Sequence, residues 1–156
     1  MIFEDAMAVL AAMEREGVRY VMVGSMAMAA NGLVRATRDV DFVVAADENN
    51  VARLRRALRS VFDDPSIEEI DAHELAGAYP VMQYFPPDEA YSVDIIARLG
   101  EAFAYEDIEW HWIDIDGLRI KVATPRMLYV MKRDTVREQD RLDARMLKER
   151  FGLEVD

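Results

Sequence analysis

Apolar positions along this chain recur with two periods, one helical and one extended. From Asp5 to Glu16 they follow helical spacing, with Ala8, Val9, Ala12 and Met13 on one stripe and Gly17 as the stop. Arg19–Val23 is almost continuously apolar, as a strand buried on both faces would be. Gly24-Ser25 breaks that run, and the Ala- and Met-rich segment Ser25–Asn31 predicts a short helix ended by Asn31-Gly32. Leu33–Arg38 then connects to a second strand, Asp39–Ala45. Asn49–Val61 places Val51, Leu54, Leu58 and Val61 on the core side of a helix. Arg53, Arg55, Arg56 and Arg59 form its solvated face.

The segment Asp63–Pro87 is interrupted by Pro65, Gly77, Pro80, Pro86 and Pro87, and only Val81–Phe85 within it reads as a strand. Tyr91–Ala97 is a clearer strand, carrying the single acid Asp94 among Val93, Ile95 and Ile96. Glu109–Val122 predicts a hairpin turning at Asp116-Gly117. Thr124 as N-cap and Pro125 at the first helical position start a helix to about Arg133. A last helix runs from about Val136 to Phe151 and ends at Gly152. The order of elements is that of an α/β (α+β) chain. With no repeat, low-complexity segment or linker in view, residues 1–156 read as one domain.

Composition narrows the class. At 156 residues, 52% hydrophobic and 31% charged, the chain has room for a real core and is globular rather than disordered. Cysteine is absent, which excludes disulfides, thiolate nucleophiles and Cys-based zinc sites. No apolar run reaches the roughly 20 residues of a membrane helix. The N-terminal segment, MIFEDAMAVLAAMEREG, is acidic and amphipathic where a signal peptide would be basic, so a helix of the mature protein is expected, and the lack of disulfides is compatible with a cytoplasmic location. Thirty acidic against 19 basic residues leave a formal charge of −11. That argues against broad coating of nucleic acid, while a small basic patch can still handle one nucleic-acid end or a nucleotide. The 10 methionines read as core filler, and neither His73 nor His111 is assigned a role. Trp110 and Trp112 alternate around His111 and are expected to pack in the core or in an interface, where they would suit a homodimer.

The chemistry concentrates in three acids placed inside apolar strands. Period-two alternation sends Asp39 and Asp41 to one face, with Val40 and Phe42 on the other. Asp94 sits in a similar context. An ionised carboxylate in an apolar sheet costs several kcal/mol unless compensated. Hard oxygen ligands of this kind suit Mg²⁺ or Mn²⁺, which keep waters and also bind substrate phosphates. Gly24 permits close backbone approach, and Ser25 falls where a helix N-terminus would offer free N–H groups to phosphate. One end of the sheet could therefore hold a triphosphate, with the acids holding its cations. Plainer readings stand beside these. Asp39 and Asp41 could be solvent-facing acids on an edge strand, and Ser25 an ordinary N-cap worth about 1 kcal/mol. Arg35 and Arg38 could pair with nearby acids, Lys132 could lie on a solvated face, and Asp140 and Asp143 could pair with Arg137 or Lys148.

Gly24-Ser25, the short helix, Asp39-Val40-Asp41 and Val93-Asp94-Ile95 together resemble the nucleotidyltransferase superfamily of polymerase-beta type. The run Arg35-Ala36-Thr37-Arg38-Asp39-Val40-Asp41 looks like the Arg-x-Thr-x-Asp-x-Asp segment of its AbiEii/MenT-like branch, which includes toxins of toxin–antitoxin systems. Lys132, Arg137, Asp140 and Asp143 look like that branch's C-terminal Lys, Arg and Asp-x-x-Asp. The resemblance implies the nucleotidyltransferase fold, a mixed central sheet flanked by helices with further C-terminal helices. It also implies transfer of a nucleoside monophosphate from an NTP to an acceptor hydroxyl. Asp39, Asp41 and Asp94 would be the catalytic, metal-binding acids, with Asp94 also helping to remove the acceptor proton. Gly24, Ser25, Arg38 and Lys132 would bind the nucleotide. Shortness is a departure, because many toxin members carry a larger C-terminal helical region, and Asp63–Pro87 matches no part of the pattern. The acceptor is left open between an RNA or tRNA end, a protein and a small molecule. A tRNA end would be served by the arginines of the Asn49–Val61 helix if they line the mouth. The alternative is a catalytically degenerate binding module of the same fold, for example with an antitoxin partner.

Overall fold

The computed structural model describes residues 3–154, so Met1 and Ile2 of the acidic N-terminal segment lie outside the described residues. Helix α1 (Phe3–Arg15) is followed by β1 (Tyr20–Val23), α2 (Gly24–Ala30), β2 (Asp39–Val44) and α3 (Glu48–Val61). A 3-10 turn at Pro65–Glu69 and a short α4 (Ala72–Ala76) lead to β3 (Val81–Tyr84) and β4 (Ser92–Ile96). A two-stranded ribbon, β5 (Arg98–Leu99) and β6 (Phe103–Ala104), precedes the hairpin β7 (Trp110–Ile115) and β8 (Leu118–Ala123). Helices α5 (Pro125–Arg133) and α6 (Glu138–Phe151) follow.

Six strands form one mixed sheet in the order β3-β4-β2-β1-β8-β7. β2 runs antiparallel to β1 and parallel to β4, and β1 runs parallel to β8. Both edges are antiparallel additions, β3 on β4 and β7 on β8. The strand interiors are apolar and fully buried, as in Val21, Met22, Val40, Phe42, Val93 and Ile95. Tyr20 meets Phe42 edge to face at 5.6 Å, and its hydroxyl donates to Glu14 of α1. Each predicted element is present within a few residues. The poorly patterned segment contains more structure than its prolines suggested. Asp64 caps the 3-10 turn through Ser66 N–H, and Asp71 caps α4 through Glu74 N–H.

The exposed face of α3 is solvated as expected, and of the two settings expected for the tryptophans the core is ruled out. Trp110 and Trp112 are not core residues, being 39% and 43% exposed on the edge strand β7. They meet edge to face, and the Arg119 guanidinium covers Trp112 at 4.8 Å. The arginines of α3 are mostly exposed but engaged. Arg56 pairs with Glu16, Arg59 with Glu68, and Arg55 donates to the Ile70 carbonyl at 2.6 Å. They clamp α3 to neighbouring segments. Among the described residues no helix is long and apolar enough to cross a membrane.

A single asparagine sets the alignment of the two central strands. Asn50 is fully buried at the start of α3. Its Oδ1 accepts from Arg19 N–H at 2.7 Å, while its Nδ2 donates to the Arg19 and Ala45 carbonyls at 3.0 and 2.7 Å. The stitch joins the entry to β1 and the exit of β2, at the end of the pair opposite Val23 and Asp41. Asn50→Ala would leave Arg19 N–H and the Ala45 carbonyl without this partner, the Arg19 carbonyl keeping Ala45 N–H at 3.3 Å, and is expected to cost about 1–3 kcal/mol. Urea unfolding checks this, and a loss below about 0.5 kcal/mol would show that the stitch contributes little.

Candidate active site

The strand register assembles the site. Across the parallel β2/β4 pair Asp39 lies opposite Ser92, and Asp41 opposite Asp94. Across the antiparallel β1/β2 pair Val23 lies opposite Asp41, so β1 ends where β2 and β4 are beginning. Alternation places Asp39, Asp41, Ser92 and Asp94 on one face, with Val40, Phe42, Val93 and Ile95 buried on the other. Gly24 follows immediately with φ +73°, and a Cβ there would overlap Asp41 Oδ2 and lie 3.0 Å from Asp41 Cγ. Gly24 thus satisfies two demands at once, a left-handed backbone and clearance for a carboxylate. Ser25 is the second residue of α2, whose N-cap is Val23 with no side-chain cap bond. The plain reading of Ser25 as an N-cap is therefore corrected: it lies half-buried inside the first turn beside Gly24.

Hydrogen bonding ties the acids together. Ser92, 3% exposed, places its Oγ 2.6 Å from Asp39 Oδ1 and 3.1 Å from Asp94 Oδ1. Gln83 of β3 donates from Nε2 to that same Oγ at 3.3 Å. Neither residue stood out in the sequence, where a serine at the start of an apolar strand carries no signal. Asp41 is pushed from an ordinary carboxylate value up to about 8. Burial is the largest cause, followed by a hydrogen bond with Asp94 and the negative charges of Asp94 and Asp39, while Lys132 acts in the opposite direction.

The basic side comes from far along the chain. Lys132 near the end of α5 has a side chain only 14% exposed and donates to Asp140 at 3.3 Å and Asp143 at 3.1 Å. This corrects the reading of Lys132 as part of a solvated face. Asp143, 2% exposed, also receives Arg35 and, at 3.0 Å, Gln139. Its partners are thus Arg35 and Lys132, rather than Arg137 or Lys148. Asp140 receives Thr135 at 3.0 Å and has Arg137 at 3.9 Å. Arg38 has an exposed side chain, while its carbonyl accepts Ser92 N–H at 2.9 Å.

A cleft of about 650 Å³ reaches the cluster at Asp41, while Asp39, Asp94 and Ser92 lie outside its lining. Asp41, Glu101, Lys132, Arg133, Asp134, Thr135 and Asp140 supply its polar part, while Phe103 and Leu128 are among its apolar walls. The volume is that of a nucleotide-sized site. None of the α3 arginines lines it. Among the described residues no three acidic or imidazole groups already close around one point. A preformed cage is not what Mg²⁺ requires, since it commonly takes one or two carboxylates and fills its remaining positions with water and phosphate oxygens. The donor set suits such an ion: hard carboxylate oxygens on one sheet face, a raised Asp41 carboxyl that a nearby cation would bring down, and a glycine clearance at Asp41.

No family model and no curated protein matches this chain. Solved structures do share its fold. TM1012 of Thermotoga maritima, a candidate nucleotidyltransferase, superposes with a TM-score of 0.54 at 14% identity, over 97% of this chain and 96% of that one. The lincosamide antibiotic adenylyltransferase LnuA in its lincomycin-bound form gives 0.57 at 14% identity, over 93% and 95%. An antigenic nucleotidyltransferase-like protein from Paracoccidioides brasiliensis gives 0.54 at 12% identity, over 93% and 75%. The architecture is that of the nucleotidyltransferase fold, with a mixed sheet flanked by helices.

Two outcomes follow from the geometry. Gly24→Ala is expected to destabilise the protein by about 2–4 kcal/mol in urea melts, from left-handed strain together with displacement of the Asp41 carboxylate. A change under about 0.5 kcal/mol would show the clearance to be unnecessary. The second outcome concerns pH. Because Asp41 titrates higher folded than unfolded, the folded state binds more protons between about pH 4 and 8, and its stability falls as pH rises through that window. In EDTA, Asp41→Asn is expected to raise Tm relative to wild type more at pH 8 than at pH 5. Equal shifts at both values would remove Asp41 as the source.

Proposed function

We propose that this chain is a divalent-cation-dependent nucleotidyltransferase, moving a nucleoside monophosphate from an NTP to an acceptor hydroxyl. The observation that carries the reading is the convergence of Asp39, Asp41 and Asp94 on one sheet face, with Gly24 pressed against Asp41. The fold shared with nucleotidyltransferases supports it.

In this reading the acceptor oxygen bonds to the α-phosphorus, the bond from that phosphorus to the β-phosphate oxygen breaks, and pyrophosphate leaves. Bound Mg²⁺ or Mn²⁺ would offset charge on the attacking and leaving oxygens. Asp39, Asp41 and Asp94 would hold the cation, and Asp94 would also take part in removing the acceptor proton. The backbone of Gly24 and Ser25 faces the leaving phosphates. Lys132, held in place by Asp140 and Asp143, presents positive charge to the same cleft, and Arg38 offers a second charge at the exposed start of β2. The apolar walls accommodate the base and sugar. Positioning and fixed charge supply most of the rate enhancement in such chemistry.

The AbiEii/MenT-like branch is the subtype proposed. What supports it is the meeting of Arg35, from the Arg-x-Thr-x-Asp-x-Asp segment, with Lys132 on the carboxylate of Asp143. Among acceptors, the formal charge of −11 and the outward engagement of the α3 arginines favour a small cationic molecule over a tRNA end. A cytoplasmic setting, where NTPs are found, fits this activity. The retained acids and the open cleft speak against a degenerate binding module with an antitoxin partner.

The test is transfer of label from α-³²P NTPs in Mg²⁺ to total RNA, to a protein extract, or to a panel of hydroxylated amines that includes a lincosamide. Wild type is expected to label one class of acceptor. Asp41→Asn is expected to lose about 10³-fold in rate, in line with removal of a group that acts at the reacting centre. Absence of label in every class, together with no Mg²⁺-dependent NTP binding by calorimetry, would remove the enzymatic reading and leave the binding module.

A further inference from the structure

Three polar residues are buried among the described residues: Asn50, Asp143 and Ser92. Asn50 stitches backbone, and Asp143 anchors Arg35 and Lys132. Ser92 does neither. Its three side-chain contacts all lie in or beside the carboxylate cluster: Asp39, Asp94 and Gln83. We infer that Ser92 is the positioning residue of the carboxylate cluster, that Gln83 directs its hydroxyl, and that the two together set how tightly the site holds a divalent cation. This inference rests on the cation-dependent reading given above.

The argument is one of donors and acceptors. A hydroxyl has one proton and two lone pairs. The Gln83 amide N–H fills one lone pair, which leaves the hydroxyl proton free to point at a carboxylate. The 2.6 Å separation from Asp39 is in the range of a charge-assisted O–H···O⁻ bond, and the 3.1 Å contact places Asp94 against the same oxygen. Ser92 lies directly across the parallel ladder from Asp39 and two residues before Asp94 on its own strand. From there Ser92 can offer its single proton to either acid, Asp39 at the shorter distance or Asp94 at the longer. It holds like charges at a fixed separation without neutralising either, so a cation meets ligands already oriented. Gln83 lies opposite Asp94 on the edge strand β3 and is exposed, so its amide can be changed with little effect on packing. Hydrogen bonds to ligating groups typically change metal affinity by about 10–100-fold when removed.

The experiment is Mn²⁺ titration of nucleotide-free protein at fixed pH, by calorimetry and by the EPR signal of free Mn²⁺, with Mg²⁺ as competitor and melting curves as a control for folding. Ser92→Ala is expected to bind Mn²⁺ about 10-fold more weakly. Ser92→Thr, which keeps the hydroxyl, is expected to stay within about 3-fold of wild type, and Gln83→Ala to weaken binding about 3-fold at unchanged Tm, as smaller fractions of that same effect. Wild-type affinity in Ser92→Ala, or Ser92→Thr binding as weakly as Ser92→Ala, would overturn the inference while leaving the cation site standing. If Ser92→Ala fails to fold, Gln83→Ala decides, and unchanged Mn²⁺ affinity in it overturns the inference. A wild-type protein that binds no Mn²⁺, with or without NTP, would overturn both the inference and the reading on which it rests.

Discussion

Like charges forced together in a partly dry place are the constraint on which this molecule turns. The Asp41 carboxyl is raised first by burial and then by its hydrogen bond with Asp94 and the charges of Asp94 and Asp39, with Lys132 acting in the opposite direction. Removing such acids would leave a more stable sheet, as buried ion clusters generally show. Their presence is a stability cost that makes sense if an ion and a phosphate-bearing ligand complete the site.

The rest of the fold holds that unfavourable cluster in register. A shift of one residue between β1 and β2 would send Asp41 to the face occupied by Phe42 and bury a charge in the main core. Asn50 guards against that shift at one end of the pair and Gly24 at the other. One does so by satisfying backbone groups, the other by leaving room. These are local devices of different chemistry serving one alignment.

A second brace reaches across the chain. Arg35 leads into β2 and Lys132 lies near the end of α5, and both bind Asp143 of α6. Fixing both cations on one buried carboxylate couples the loop before the acidic strand to the C-terminal helices. It also keeps Lys132 from folding onto Asp41 as a permanent counter-ion, since its ammonium is already shared between Asp140 and Asp143. The positive charge is thus held near the carboxylates without closing the site.

Much of this was readable from periodicity. Alternation alone placed Asp39 and Asp41 on one face, and capping residues marked α5 and the end of α6, because those signals are local in the chain. The segment between Asp63 and Pro87 was poorly read because its elements are one or two turns long, too short for a period to emerge, although Asp64 and Asp71 cap them. The choice between core and interface for Trp110 and Trp112 stayed open in the sequence because hydrophobicity does not say which strand becomes an edge. Ser92, Gln83 and the partners of Asp143 were invisible for a related reason. A hydrogen bond between residues 53 or 108 positions apart depends on strand order and register. Those are set by the packing of the whole chain. The sequence by itself determined which residues carry charge, alternate and cap. Only the tertiary structure decided which of them meet, because contact between distant residues is a property of the closed sheet and its helices, and no short stretch contains it.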